Sequence, residues 1–216
     1  MNYKMMGRFL AQILFIEGIL MAPPLCISRY CGDPLAVRGF LVAIAAALAV
    51  SAVLHLLCKG APSAFYAREG LVCVGLCWIV LSAVGCLPFW VSREIPSYVD
   101  AFFEIVSGFT TTGASIVPEV ESLSKGILYW RSFSHWVGGM GVLVFLLAFT
   151  GGKGQGFTMH LLRAESPGPD VGKLVPQMRK TAAILYILYV LLTVLDVIFL
   201  LLGDMPLFEA LCHAFG

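Results

Sequence analysis

Residues 98–115 read YVDAFFEIVSGFTTTGAS, and they decide the fold because a polar, flexible strand directly follows a short amphipathic segment. The segment 98–109 is apolar enough for a membrane interior but too short to cross one. Residues 108–115 then place three threonines and two glycines in an otherwise apolar chain. One interpretation is an ordinary polar loop between helices, and the other is a re-entrant strand at membrane depth.

The composition of the whole chain favours the membrane interpretation. The chain has 216 residues, 59% of them hydrophobic and 12% charged, and a mean hydropathy of +0.90. Soluble domains carry about twice that charged fraction. The net charge is +1 and no basic run is present, so no nucleic-acid partner is predicted. The sequence therefore predicts an all-α polytopic membrane protein.

Five apolar blocks have about the length that a membrane-spanning helix needs, which is roughly 20 residues. They cover residues 8–27, 37–58, 70–92, 127–150 and 181–203. The first block continues through Pro23 and Pro24 without a small-residue cleavage site, which indicates a retained helix rather than a signal peptide.

The distribution of Lys and Arg predicts the orientation of these spans. With a cytoplasmic N-terminus and residues 93–126 outside, nine basic residues lie inside and five outside. The inside set is Lys4, Arg8, Lys59, Arg68, Lys153, Arg163, Lys173, Arg179 and Lys180. The outside set is Arg29, Arg38, Arg93, Lys125 and Arg131. This bias agrees with the positive-inside rule, and the reversed orientation would invert it.

The chain also contains an internal repeat. A span, a short acidic loop and a short helix with Phe-Glu occur in 70–104 and again in 181–209. The second copy reaches Gly216 where the first would enter its threonines, so we expect the chain to be truncated. The predicted organisation is two leading helices in 1–62, a span–pore loop–span repeat in 63–152, a cytoplasmic connector in 153–180 and an incomplete second repeat in 181–216.

The order of parts in 98–113 suits a site for a desolvated monovalent cation. Such a site needs rings of oxygen dipoles, which backbone carbonyls supply. Pointing successive carbonyls one way requires backbone angles that favour glycine, and a short helix ahead of the strand directs its negative end toward the ion.

Three motifs together resemble a known family. DAFFEIVSGFTTTGAS is followed by LYWRSFSHWVGGMGVLVF and then by HLLRAESPGP. In this order they resemble the Trk/Ktr/HKT superfamily of potassium uptake proteins, and most of all the bacterial Trk-type membrane subunit. That family has four span–pore helix–span repeats around one pore, with one filter strand in each, and the Trk branch has two extra leading helices.

The resemblance implies a function and a set of site residues. Thr111, Thr112 and Gly113 would form the first quarter of a potassium filter, with Thr110 adjacent. Potassium would be the transported substrate, and no cofactor is expected. The protein would lie in the bacterial cytoplasmic (inner) membrane as a multi-pass homodimer. Its cytoplasmic face, including the connector, would meet a nucleotide-binding regulatory ring.

Other functions remain as alternatives. A membrane-embedded enzyme would need a nucleophile–base pair or a metal cluster, and the sequence has no HExxH, GxSxG or paired-carboxylate motif. A non-conducting fragment or structural partner is the third possibility. Intramembrane acids are functional candidates by default, but for Glu17 and Asp196 we favour hydrogen bonding between helices. Arg131 is expected to snorkel or to pair with Glu104 or Asp100.

The glycines of the WVGGMG motif are predicted to allow close approach of another segment. They are Gly138, Gly139 and Gly141. We expect the pore helix to be the segment that packs against them, and generic helix–helix contact is the alternative.

Overall fold

The computed structural model describes residues 2–60, 67–139, 141 and 175–216, and the statements that follow concern those residues. Their regular structure is helical, and no strand occurs among them. The helices are α1 (Tyr3–Leu20), α2 (Ala22–Cys31), α3 (Pro34–Leu57), α4 (Ala67–Gly85), α5 (Leu87–Val91), α6 (Tyr98–Phe109), α7 (Lys125–Gly139), α8 (Val175–Leu202) and α9 (Leu207–Phe215). A 3-10 turn, Val120–Ser122, precedes α7.

Four stretches of the described residues are long and apolar enough to cross a membrane. They are Tyr3–Cys31, Pro34–Leu57, Gly70–Val91 and Ala183–Leu202. They match the first, second, third and fifth predicted blocks, so the predicted all-α polytopic membrane fold is confirmed. The fourth block begins with α7, but its residues 140 and 142–150 lie outside the described residues, as does most of the predicted connector.

Two of these spans are broken by proline. The first consists of α1 and α2, which meet at Met21, and prolines occupy the first turn of α2. The third consists of α4 and α5, which meet at Cys86 ahead of Pro88. Proline lacks the N–H that would continue a helix but fits its first turn, so each span bends without ending.

The last span begins earlier than the apolar pattern predicts. Helix α8 starts at Val175 rather than near residue 181, so six further residues, including Gln177, Arg179 and Lys180, extend it on the predicted cytoplasmic side. Pro176 stands in its first turn, a position that proline favours. Hydropathy marks only the apolar part of a helix and therefore misses this turn.

The core forms where the leading helices meet the first repeat. Helix α1 packs on α3 and α4, while α6 lies between α4 and α7. The largest fully buried side chains include Trp130, Phe40, Phe89 and Phe109. Trp130 also donates its indole N–H to the Gly85 carbonyl at 2.9 Å, so α7 is joined to the end of α4.

Helices α3 and α5 approach closely because Gly39 has no side chain. A Cβ at Gly39 would lie 2.8 Å from the Pro88 carbonyl oxygen and 3.2 Å from its Cα. Both atoms are backbone, so neither can move aside without displacing α5. Small residues that let membrane helices approach in this way are common at helix–helix contacts.

We expect Gly39→Ala to lower the thermal stability of the detergent-solubilised protein, because the added methyl group meets the backbone of Pro88. Gly75→Ala is the matched control, since a Cβ at this helical position meets nothing within 4 Å. Alanine exceeds glycine in helix propensity by up to about 1 kcal/mol, so the control should be neutral or slightly stabilising. Equal melting temperatures for the two variants would contradict this account.

Candidate ion-filter site

The site begins with the short helix α6, which has clear start signals. The Ser97 side chain caps its N-terminus by accepting from the Asp100 N–H at 3.4 Å, and Asp100 itself lies in the first turn. A capping serine and an early acidic residue both stabilise a helix N-terminus. One face of α6 is buried, including Glu104, Ile105 and Phe109.

A compact turn ends α6 and redirects the chain. The Thr111 N–H donates to the Gly108 carbonyl and the Thr112 N–H to the Ser107 carbonyl, both at 2.9 Å. These two bonds form a Schellman motif, in which the residue after the cap takes a left-handed conformation. Thr111 fills that place with a φ of 55°, which is uncommon for a residue other than glycine.

The threonine hydroxyls bond within the turn. Thr110 Oγ1 donates to the Val106 carbonyl at 2.7 Å and lies 2.8 Å from Thr112 Oγ1. Because a hydroxyl has only one hydrogen, Thr112 is the donor in the second bond. Gly113 follows with a φ of 74°. The sequence-predicted residues Thr110 to Gly113 are thus consecutive in one exposed, non-helical segment at the C-terminal end of α6, which we call the strand although it is not a β-strand.

Glu104 anchors the residues that follow this strand. Its side chain is 1% exposed. The carboxylate accepts from the Ser115 hydroxyl at 3.0 and 3.2 Å and from the Ile116 N–H at 3.0 Å. The helix that precedes the strand therefore also holds the chain that leaves it, and the strand is fixed at both ends.

Arg131 supplies the positive charge for this carboxylate. Its Nε donates to Glu104 Oε1 at 2.6 Å, which joins α7 to α6 behind the strand. Of the partners predicted for Arg131, Glu104 is therefore the one observed. A buried carboxylate is tolerated when it is paired and its remaining lone pairs are used, and Glu104 meets both conditions.

Two glycines bring α6 and α7 together. A Cβ at Gly108 would clash with the Ser134 hydroxyl, and a Cβ at Gly138 would clash with the Phe109 carbonyl. The prediction that the WVGGMG glycines pack against the pore helix is confirmed for Gly138. Gly139 instead approaches α8, where a Cβ would lie 2.6 Å from the Tyr189 hydroxyl oxygen.

The structure contradicts the predicted hydrogen bonding at Glu17 and leaves that at Asp196 a prediction. Glu17 is buried, and neither of its carboxylate oxygens has a hydrogen-bond partner among the described residues. Asp196 is exposed on α8, in a span whose apolar window has no buried residue in the described part of the chain. Hydrogen bonding of Glu17 to a neighbouring helix was therefore the wrong expectation.

Comparison with known proteins identifies the family. A family profile described as TrkH, cation transport protein, matches residues 37–216. The Trk system potassium uptake protein TrkH of Salmonella typhimurium is 37% identical over 220 residues, covering 100% of this chain and 45% of that protein. The chain belongs to the TrkH cation transport family.

A second sequence relative and a solved structure are also similar to this chain. TrkG of Escherichia coli, also a Trk system potassium uptake protein, is 38% identical over 148 residues, covering 68% of this chain and 30% of TrkG. The crystal structure of the potassium transporter TrkH from Vibrio parahaemolyticus superimposes with a TM-score of 0.80 at 29% identity. It covers 100% of this chain and 42% of that structure. This chain therefore spans less than half the length of these TrkH-family relatives.

Sequence reasoning missed two polar contacts that shape the site. The bond between Glu104 and Ser115 was not predicted, although a glutamate within a short membrane-embedded helix was its signal. The second contact is at Glu94, which accepts from the Ser124 N–H at 2.8 Å and from its hydroxyl at 2.6 Å. Glu94 thereby ties the loop after α5 to the start of α7.

A double-mutant cycle tests the ion pair between Glu104 and Arg131, which we call the anchor. Glu104→Gln and Arg131→Gln should each destabilise the protein by about 3 kcal/mol, because each leaves a buried charge unpaired. The double variant should lose less than the sum of the two, by about 1–3 kcal/mol. The measurement is equilibrium unfolding of the purified protein.

The control cycle uses Glu119 in place of Glu104, because Glu119 is an exposed acid in the loop between α6 and α7. Glu119→Gln and Arg131→Gln should be additive, because no bond joins the two residues. Additivity in the Glu104 cycle as well would refute the anchor.

Proposed function

We propose that this protein forms the N-terminal part of a Trk-type subunit that takes up potassium across the bacterial inner membrane. Thr111, Thr112 and Gly113 supply the first quarter of its selectivity filter, and Thr110 lies next to them. One observation carries the proposal. The Schellman turn at the end of the short helix α6 brings these consecutive residues directly beyond the C-terminal end of that helix.

The chemistry of the strand suits a dehydrated monovalent cation. Neutral carbonyl dipoles can replace a hydration shell without binding the ion too tightly to leave. The C-terminal end of α6 adds a partial negative charge directed at the strand. The left-handed conformations at Thr111 and Gly113 rotate successive peptide groups, so their carbonyls need not alternate as in an ordinary strand.

The proposed organisation follows the family pattern. Residues 1–62 hold the leading helices, 63–152 the first repeat, 153–180 a cytoplasmic connector and 181–216 the start of a second repeat. One strand forms one wall, so the remaining walls of the filter must come from residues outside this chain. The exposure of Thr110 to Gly113 on their open side is what this arrangement requires.

The same proposal assigns partners and location. The subunit spans the lipid bilayer with its N-terminus in the cytoplasm, as the distribution of basic residues favours. It forms a homodimer, and a nucleotide-binding regulatory ring docks on its cytoplasmic face. Potassium is a transported substrate rather than a cofactor, and the protein has no enzymatic role.

Rubidium uptake tests the proposal. The complete reading frame that contains this chain, expressed in a potassium-starved strain without its own uptake systems, should restore both growth and rubidium uptake. A wild-type protein that reaches the membrane but gives no uptake would defeat the proposal.

Selectivity gives a sharper test. Gly113→Ser should reduce the preference for rubidium over sodium, because the serine side chain resists the left-handed conformation and distorts the strand. Gly60→Ser is a closely matched control. Gly60 has the same φ of 74°, and a Cβ at either glycine meets nothing within 4 Å. Gly60 lies after α3, far along the chain from the strand, so its variant should keep wild-type selectivity.

A further inference from the structure

Glu17 is a buried acid without a visible partner. It lies on α1, within the first membrane span, and is 3% exposed. Within the part of the chain that the structure describes, neither Oε1 nor Oε2 has a hydrogen-bond partner. Most buried polar side chains are satisfied, so a native exception of this kind requires an explanation such as an unseen water or ion.

The carboxyl lies beside a cavity of about 30 Å³, which is large enough for a water molecule. Its described lining comes from five helices and includes Leu81, Phe109, Trp130, Trp136 and Tyr186. These side chains are apolar or aromatic, and Glu17 is the only carboxylate among them.

The position of Glu17 is set by the end of α4. A Cβ at Gly85 would lie 2.9 Å from Glu17 Oε1 and 3.1 Å from side-chain atoms of Ile105 and Phe109. Gly85 therefore leaves the space that the carboxyl uses, and the carboxyl lies directly behind the C-terminal half of the pore helix.

The surroundings do not compensate a negative charge. No Lys, Arg or His is among the described residues that line the cavity. The guanidinium of Arg131 is bound to Glu104. Tyr186 is the one other titratable group in this lining, and the thiol of Cys86 lies near the carboxyl. Both are neutral at physiological pH, and an isolated carboxylate buried among such groups is strongly disfavoured.

A bound potassium ion is also disfavoured. A dehydrated potassium ion needs a shell of several oxygens, as the carbonyl rings of a filter provide. The described lining offers the two oxygens of one carboxylate among otherwise mostly apolar groups. A proton needs only one of those oxygens, and the resulting acid can donate its hydrogen to a water molecule in the cavity.

We propose that Glu17 and this cavity form a proton-binding site, in which the neutral acid donates a hydrogen bond to a buried water molecule. A neutral group here leaves the carbonyl strand and the end of α6 as the local sources of negative potential. The proton site stands independently of potassium transport, and only its importance for the pore depends on the proposed function.

Infrared spectroscopy of the complete protein in lipid tests the proposal. Wild type should show the carbonyl stretch of a protonated carboxyl group, shifted by exchange into deuterated water, and Glu17→Gln should lose this band. Glu119→Gln, which removes an exposed carboxyl group far from the cavity lining, should keep it. Identical carboxyl-region spectra for wild type and Glu17→Gln would overturn the proposal.

A second measurement needs no variant. Crystals of the wild-type protein soaked in rubidium should show no anomalous density beside Glu17. A peak there would show that the site binds a cation and would overturn the proposal of a proton site. Neither readout depends on transport. A wild-type protein that shows the Glu17 band but no rubidium uptake would defeat the proposed function and leave the proton site standing.

Discussion

The bond network of the Glu104 carboxylate is the constraint on which the candidate site depends. Non-helical backbone at membrane depth needs partners for its polar groups, because lipid offers none. Glu104 provides them from inside the pore helix by accepting from Ser115 and the Ile116 N–H. Its own charge is balanced by Arg131 of the next helix. One side chain therefore connects α6, the non-helical segment that leaves it and α7.

Close helix packing makes this network possible. Arg131 reaches Glu104 at 2.6 Å because α6 and α7 are in contact, and that contact depends on Gly108 and Gly138. A methyl group at either glycine would separate the two helices and lengthen the ion pair. The glycines and the ion pair are therefore parts of one arrangement, in which close packing excludes lipid and the buried charges compensate each other.

Much of the fold could be predicted from the sequence, because a membrane span is a one-dimensional property of an apolar block. The short helix 98–109 was predictable because an amphipathic segment too short to span lies between two longer apolar blocks. The Schellman turn was not, since Thr111 adopts a left-handed conformation that threonine rarely takes and that the sequence does not signal. The pairing of Glu104 with Ser115 and the isolation of Glu17 were also beyond prediction, because both depend on which helix faces meet in three dimensions.

The second copy of the internal repeat, residues 181–209, can be compared with the first copy, residues 70–104. Between α8 and α9, Asp204 takes a left-handed conformation with a φ of 61° and donates to the Leu201 carbonyl at 3.1 Å; at the matching place between α5 and α6, Arg93 has a φ of 64° and donates to the Trp90 carbonyl at 3.2 Å. Helix α9 also carries a Phe-Glu pair, yet Glu209 is exposed whereas Glu104 is buried. Glu104 is buried where Ser115 and the Ile116 N–H supply its hydrogen bonds and Arg131 supplies its counter-charge.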